Sequence, residues 1–360
     1  MIDFKIPYGH VPPSWENSLN GSAGDVDVSV NMIVRNEEER LARVLASLIP
    51  LRPKEVIVAD TGSTDRTREI ATWFGAKVIE VPWNDHFSEA RNAVLDVSKY
   101  EWIVWIDADE QFAEGSAERL RTKIRTGQLK NDYQLFVYSE HPYQMFQSRM
   151  FRKIPEARWQ GRVHENVWPT GPVQSHDDIV IIQHPDDRRP DKYLRNLQLL
   201  ERAIEEEPLN ARNYMHATIL YILTENHKKA EVTADAYLQL SKREELKPRV
   251  YMLYAKAWMA MMQKNFQAAA NFVLAGLAMD VTAAELWCLL GDIYQWVRRP
   301  QDALAAYENA ILFGKTSTGT FWMVDRSKYD QYPQQMIDKL KAQGITRPPR
   351  MRMSFGPETP

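Results

Sequence analysis

Chemistry is most concentrated where an apolar run breaks into acids. Trp102–Glu110 reads WIVWIDADE: five apolar residues, Trp102 to Ile106, then Asp107, Asp109 and Glu110 around one alanine. Five apolar residues bounded by charge predict a buried strand of a parallel sheet. In open α/β sheets ligands bind beyond the carboxyl ends of the strands. Two carboxylates at i and i+2, where a strand gives way to a loop, can converge on one hard cation. Mg²⁺ or Mn²⁺ shared between a few carboxylates and diphosphate oxygens is the usual arrangement. The competing reading is a solvated acidic turn that caps the next helix.

The elements that must position this stretch follow from periodicity. Val26, Val28, Val30, Met32 and Val34 alternate as a strand does. Asn36 is then expected to cap a helix with acids in its first turn and an apolar face of Leu41, Val44, Leu45 and Leu48, ended by Pro50 and Pro53. Glu55–Ala59 predicts a second strand, turned at Gly62, with Ser63 or Thr64 capping a helix through about Phe74. Lys77–Val81 predicts a third strand and Phe87–Val97 a helix carrying Arg91 and Asn92. Alternating strands and helices imply a parallel sheet with right-handed crossovers.

Composition bounds the rest. The chain has 360 residues, 44% hydrophobic and 26% charged, with net charge -3. That describes an ordinary globular protein of two domains, or one with a large appendage. The charge argues against general polyanion binding and leaves room for a local basic groove. The single cysteine, Cys288, excludes an internal disulfide and fits a reducing compartment. Without an early apolar segment or a run of eighteen apolar residues, the expectation is a cytoplasmic protein that does not span a membrane.

Four ordered segments carry a family resemblance: VNMIVRNEEERL (30–41), EVIVADTGSTDRT (55–67), DHFSEARNAVL (85–95) and WIVWIDADE (102–110), continued by SRMFRKIPEARWQGRVHENV (148–167). Together they resemble the inverting family-2 glycosyltransferases with a GT-A fold. The closest likeness is to the subgroup in which tetratricopeptide-like helices follow the catalytic domain, as in peptide S-glycosyltransferases. The resemblance implies a nucleotide-sugar donor, expected to be a UDP-sugar, and a Mn²⁺ or Mg²⁺ cofactor. It implies that Asp109 ligates the metal and that Asp107 contacts ribose or metal-bound water. Asp60 would contact the nucleoside, although the family often has two adjacent acids where this chain has Asp60-Thr61. Val34 would line the same nucleotide site, and Arg91 would pair with phosphate oxygens; a solvated or ion-paired helix arginine is the alternative. Asp85 is either a nucleoside-pocket residue or a loop acid, and Asp65 a first-turn helix acid. The acceptor's proton needs a base, and Glu165 is the first candidate and His164 the second, with metal, diphosphate or structural roles as alternatives. His184, after the apolar run Ile179–Ile182, either reaches the metal or diphosphate or is structural. Trp159 and Arg158 either shape the acceptor mouth or pack.

Past residue 187 strand patterns stop. Trp287, Leu290, Gly291, Tyr294, Ala303, Tyr307 and Ala310 fit the tetratricopeptide pattern. One 34-residue period earlier stand Leu253, Lys256, Ala257, Ala260, Ala269, Val273 and Gly276. An earlier pair, around Tyr214–Tyr221 and Ala230–Tyr237, is out of register. The expected organisation is an irregular arm over 1–24, where Trp15 could pack, a GT-A domain over 25–187, helical repeats over 188–315 and a C-terminal extension over 316–360. The expected function is metal-dependent inverting glycosyl transfer to an acceptor, with a polypeptide side chain in the lead. A modified nucleobase in DNA and a glycan or lipid precursor are alternatives, as is a non-catalytic binding protein with a decayed transferase domain. The repeats could hold an acceptor, buttress the catalytic domain or pair two protomers into a homo-oligomer.

Overall fold

The computed structural model describes residues 26–140, 143–184, 192–242, 245–315 and 326–346. The expected N-terminal arm and the tail beyond Thr346 lie outside these residues. The chain divides into two units between Pro208 and Leu209.

The first unit is built on strands β1 (Val26–Val34), β2 (Pro53–Asp60), β3 (Lys77–Glu80), β4 (Trp102–Trp105), β5 (Glu110–Phe112), β6 (Tyr133–Glu140), β7 (Tyr143–Arg152), β8 (Trp159–Gln160), β9 (Asn166–Val167) and β10 (Val173–Gln183). Helices α1 (Leu41–Leu48), α2 (Thr67–Trp73), α3 (Phe87–Val97), α4 (Ser116–Arg125) and α5 (Lys192–Glu206) complete it. Eight strands form one sheet in the order β3-β2-β1-β4-β7-β6-β10-β5, and β8 pairs with β9 apart from it. β3, β2, β1 and β4 are mutually parallel, as the strand–helix alternation predicts. β7 then runs antiparallel to β4. This is the mostly parallel, GT-A-like sheet. β1 is central and buried on both faces, which is why apolar and small polar residues share it. Val28, Val30 and Met32 pack with Leu41, Leu45 and Leu48 of α1 in one core, each burial contributing about 1.5–3 kcal/mol.

Helix α1 starts at Leu41 rather than after Asn36. Asn36 is left-handed (φ 56°) and serves the neighbouring loop instead. Its N–H donates to Ser63 Oγ at 2.9 Å, and its Oδ1 accepts from Thr64 N–H at 2.8 Å. The segment before α1 is therefore stitched to the loop after β2, which turns at Gly62 with φ 102°, a conformation that favours glycine. Neither Ser63 nor Thr64 caps the following helix: its N-cap is Arg66, without a side-chain bond, and Asp65 just before it accepts from Thr67 N–H at 3.0 Å.

The second unit is helical: α6 (Ala211–Leu223), α7 (His227–Leu240), α8 (Leu246–Met262), α9 (Phe266–Met279), α10 (Ala284–Trp296), α11 (Pro300–Gly314) and α12 (Gln331–Ala342). Three of its turns repeat in detail. Asn226, Asn265 and Arg299 each donate an N–H at 2.8 Å to the carbonyls of Tyr221, Ala260 and Tyr294. The residue before each donor is left-handed: Glu225, Lys264 and Arg298, at φ 59°, 60° and 59°. These turns make α6–α7, α8–α9 and α10–α11 equivalent tetratricopeptide-like pairs. Ala260 to Tyr294 spans one period of 34, but Tyr221 to Ala260 spans 39, so five extra residues hide the first pair from a fixed-period search. At Gly291 a Cβ would lie 2.6 Å from the Tyr307 ring, so glycine lets α11 approach α10. Among the described residues no helix is long and apolar enough to cross a membrane.

Candidate active site

β4 ends at Trp105, and the chain turns through Asp107, Ala108 and Asp109 into β5. The carboxylates of Asp107, Asp109 and Glu110 each offer an oxygen within 4.8 Å of the others. They do not play equal parts. Glu110 is buried and accepts from Arg149 through both oxygens, at 2.6 and 2.8 Å, and its Oε2 also takes the Asp107 N–H at 2.9 Å. Burial pushes the Glu110 carboxyl up to about 7 against the pull of Arg149. Glu110 thus shapes the acidic turn from beneath, with Arg149 fixed over the Trp105 ring at 3.8 Å. Asp107 and Asp109 are partly open. Burial would raise the Asp107 carboxyl, but Arg91 and Arg149 outweigh it and hold it below the usual carboxylate range.

Arg91 is buried at 6% exposure, so it does not face an open phosphate site. Its Nη2 donates to Asp107 Oδ1 at 2.8 Å and its Nε to Glu165 Oε1 at 2.5 Å. The guanidinium lies 4.8 Å from the ring centroids of both Trp105 and Trp159. Burial disfavours the cation, but Asp107 and Glu165 more than compensate and raise its pKa. The same helix fixes the segment that carries Glu165. Asn92 exchanges two 3.0 Å bonds with the Trp159 backbone, Ser88 Oγ donates to Gly161 O at 2.6 Å, and Phe87 N–H donates to Arg162 O at 2.8 Å. Sequence reasoning missed this role of Ser88 and Asn92. The available signal was small polar residues flanking Arg91 on a face that also carries Ala90, Val94 and Leu95. His164 precedes Glu165 in a left-handed conformation (φ 51°), so the two side chains leave a tight turn.

The nucleotide candidates lie at the ends of β1 and β2. Asp60 is buried; its Oδ1 accepts from Gly62 and Ser63 N–H at 3.2 and 2.9 Å, and its Oδ2 has no partner among the described residues. Val34 offers its carbonyl to both Thr61 N–H and Thr61 Oγ1 at 3.0 Å, which holds the two strand ends together. Asp85 is engaged elsewhere, by Trp83 Nε1 at 2.9 Å and Arg202 at 2.7 Å. Trp159 packs edge-on against Trp105 and Phe151, and Arg158 pairs with Asp96.

His184 leaves β10 beside the acidic turn. Its N–H donates to Asp109 O at 2.8 Å, while Gln183 Nε2 donates to Asp109 Oδ2 at 3.1 Å. Its Nε2 is buried without a partner among the described residues. Burial, then Arg43 and Arg40, lower its pKa, so the ring is neutral near pH 7. The two partly open carboxylates are donors that suit Mn²⁺ or Mg²⁺, and a neutral imidazole with an orphaned nitrogen lies near them. His184 is not part of the group whose oxygens lie within 4.8 Å of one another, so it stands at that site's margin.

Residues 29–196 match the family model described as glycosyl transferase family 2. A TPR repeat-containing protein of Synechococcus elongatus is 39% identical over 151 residues, covering 40% of this chain and 36% of that one. The SPbeta prophage-derived glycosyltransferase SunS of Bacillus subtilis is 26% identical over 200 residues, covering 51% and 47%. An uncharacterized glycosyltransferase of Rickettsia typhi is 38% identical over 87 residues, covering 24% and 29%. The chain therefore spans less than half the length of each of these relatives.

Proposed function

We propose that the protein, whose residues 29–196 match the glycosyl transferase family 2 model, transfers a sugar from a nucleotide sugar, with inversion, to a nucleophilic acceptor. The observation that carries the reading is the arrangement of four groups around the ends of β1, β2 and β4. Asp60 keeps one oxygen without a donor, Asp107 and Asp109 present carboxylates, and Glu165 is tied to Asp107 through one guanidinium.

Each residue then has a task. The Asp60 carboxylate accepts from a base N–H or a ribose hydroxyl, which suits a UDP-sugar. Asp109, with Asp107 and with His184 at the margin, would hold Mn²⁺ or Mg²⁺. Such a cation supplies Lewis-acid stabilisation of the charge that develops on a departing diphosphate. Arg91 is a positioning residue: it pins Glu165 Oε1 and leaves Oε2 to take the acceptor's proton. His164 is the second candidate for that proton. As acceptor we propose a polypeptide side chain, supported by the tetratricopeptide-like pairs, since stacked repeats create extended binding surfaces. The single cysteine supports a reducing, cytoplasmic setting.

The test is a panel of nucleotide sugars scored for thermal stabilisation and slow hydrolysis, with Mn²⁺ and with chelator. A UDP-sugar should stabilise the protein and be hydrolysed only with metal. No response to any nucleotide sugar would refute the reading.

A further inference from the structure

We propose that Arg43 of α1 grips the diphosphate of the donor beside the acidic turn. The inference rests on the transferase reading above and names a residue for it. Arg91 cannot take this part, because its guanidinium is buried and already bonded to Asp107 and Glu165. A divalent cation held by Asp107 and Asp109 would have its charge cancelled by the two carboxylates. The negative charge of a diphosphate then calls for a further cation that is not already paired.

The packing of α1 brings one to the right place. Phe112 N–H of β5 donates to Ser47 Oγ of α1 at 3.2 Å, so helix and strand are fastened side by side. β1 is parallel to β4, and α1 returns from the carboxyl end of β1, so α1 starts at the level of the acidic turn. β5 starts from that same turn and runs antiparallel to β10, which ends at Gln183, one residue before His184. Arg43 lies four residues before Ser47, on the same helix face and about 6 Å up the axis. Asp109 lies three residues before Phe112, about 10 Å up the strand. Both therefore sit at the His184 end of the pair.

Their charges register this proximity. Burial and Arg40 lower the pKa of Arg43, and Asp109 opposes them. The Arg43 side chain is nonetheless exposed and has no hydrogen bond or ion pair among the described residues. A guanidinium within electrostatic reach of a metal-type carboxylate and an orphaned imidazole, yet unpaired, is placed to fork onto phosphate oxygens.

The test compares wild type with Arg43→Gln by calorimetric titration of UDP, uridine and inorganic pyrophosphate at fixed Mn²⁺. Charge-assisted bonds of this kind predict that Arg43→Gln weakens UDP and pyrophosphate binding by about 10- to 100-fold. Uridine binding and the melting temperature of the unliganded protein should not move, and Arg43→Lys should restore part of the loss. Equal affinity of wild type and Arg43→Gln for UDP would overturn the assignment of Arg43 alone. So would a matching loss for uridine with a lowered melting temperature, which would mark a structural role. A wild-type protein that binds neither UDP nor pyrophosphate with Mn²⁺ would overturn the donor-site reading itself, and this inference with it.

Discussion

Glu165 lies 74 residues beyond Arg91, yet accepts from its Nε at 2.5 Å. Through Nη2 the same guanidinium holds Asp107, so one buried cation sets the separation between the acidic turn and the Gly161–Glu165 segment. A base held by a fixed partner has only one oxygen free to turn toward an acceptor, which separates binding from chemistry in a testable way. Glu165→Gln keeps an oxygen for Arg91 and loses the proton acceptor. Donor affinity should survive, while transfer to a hydroxyl acceptor falls by about 10²- to 10⁴-fold. His164→Ala should cost less. The reverse ranking at saturating donor would move the base to His164, and full activity of both variants across pH would remove the segment from the catalytic assignment.

Asp109→Ala tests the acidic turn. The side chain is partly open and lies beyond a strand end, so the fold should stay near native. Binding to the native state at 100 times the dissociation constant stabilises a protein by about 2.7 kcal/mol. Wild type with UDP and Mn²⁺ should show a stabilisation of this size by thermal shift. Asp109→Ala should lose most of it and should not turn over. Unchanged turnover would refute the metal-holding role.

The strands were legible because apolar runs and alternation report burial directly: β1, β2, β3 and β4 stand where Val26–Val34, Glu55–Ala59, Lys77–Val81 and Trp102–Ile106 place them, within a residue or two. The start of α1 was not legible, since Asn36 bonds to the loop after β2 and Glu37 to Thr67 at the start of α2, contacts 27 and 30 residues away. The acidic turn was legible as a motif, but the division of labour within it was not. Nothing local distinguishes Glu110 from Asp109. Only the packing of β7 against β4, which brings Arg149 beneath the turn, makes one acid structural and leaves the other open. Arg91 illustrates the same limit: its type suggested phosphate, while its partners 16 and 74 residues away make it a strut.

The Glu110–Arg149 pair yields a stability prediction. Both side chains are 2% exposed. Removing one partner of a buried pair strands the other charge and costs about 3–5 kcal/mol. Above pH 7, where the Glu110 carboxyl is ionised, Glu110→Gln should therefore destabilise the protein by about that amount and loosen the turn, since Glu110 also holds the Asp107 N–H. Adding Arg149→Met should recover part of the loss, because no buried cation is left behind. Urea unfolding of the four proteins of this cycle measures the coupling. Additive losses would show that the two charges do not support each other.

His176 gives a pH signature independent of the site. It is buried in β10, and its Nε2 lies 2.7 Å from Gln134 Oε1. Gln134 uses its own Nε2 to donate to Asn131 O, so Oε1 is its acceptor and His176 Nε2 must be the donor. In the neutral ring the proton is therefore on Nε2 and Nδ1 is bare. Burial first, and Lys123 second, lower its pKa below 6.5 against the pull of Asp178 and Asp177. Between the folded and unfolded values the unfolded chain binds more protons, so stability rises with pH in that window. The contribution is fully present above about 6.5 and is lost as pH falls through the folded value, with a slope of at most about 1.4 kcal/mol per pH unit. Melting temperatures of wild type and His176→Gln should therefore run parallel above about pH 7. Below it wild type should fall more steeply, because Gln can still donate to Gln134 and has no proton to take up. Parallel curves down to pH 5 would show that His176 does not titrate against the fold.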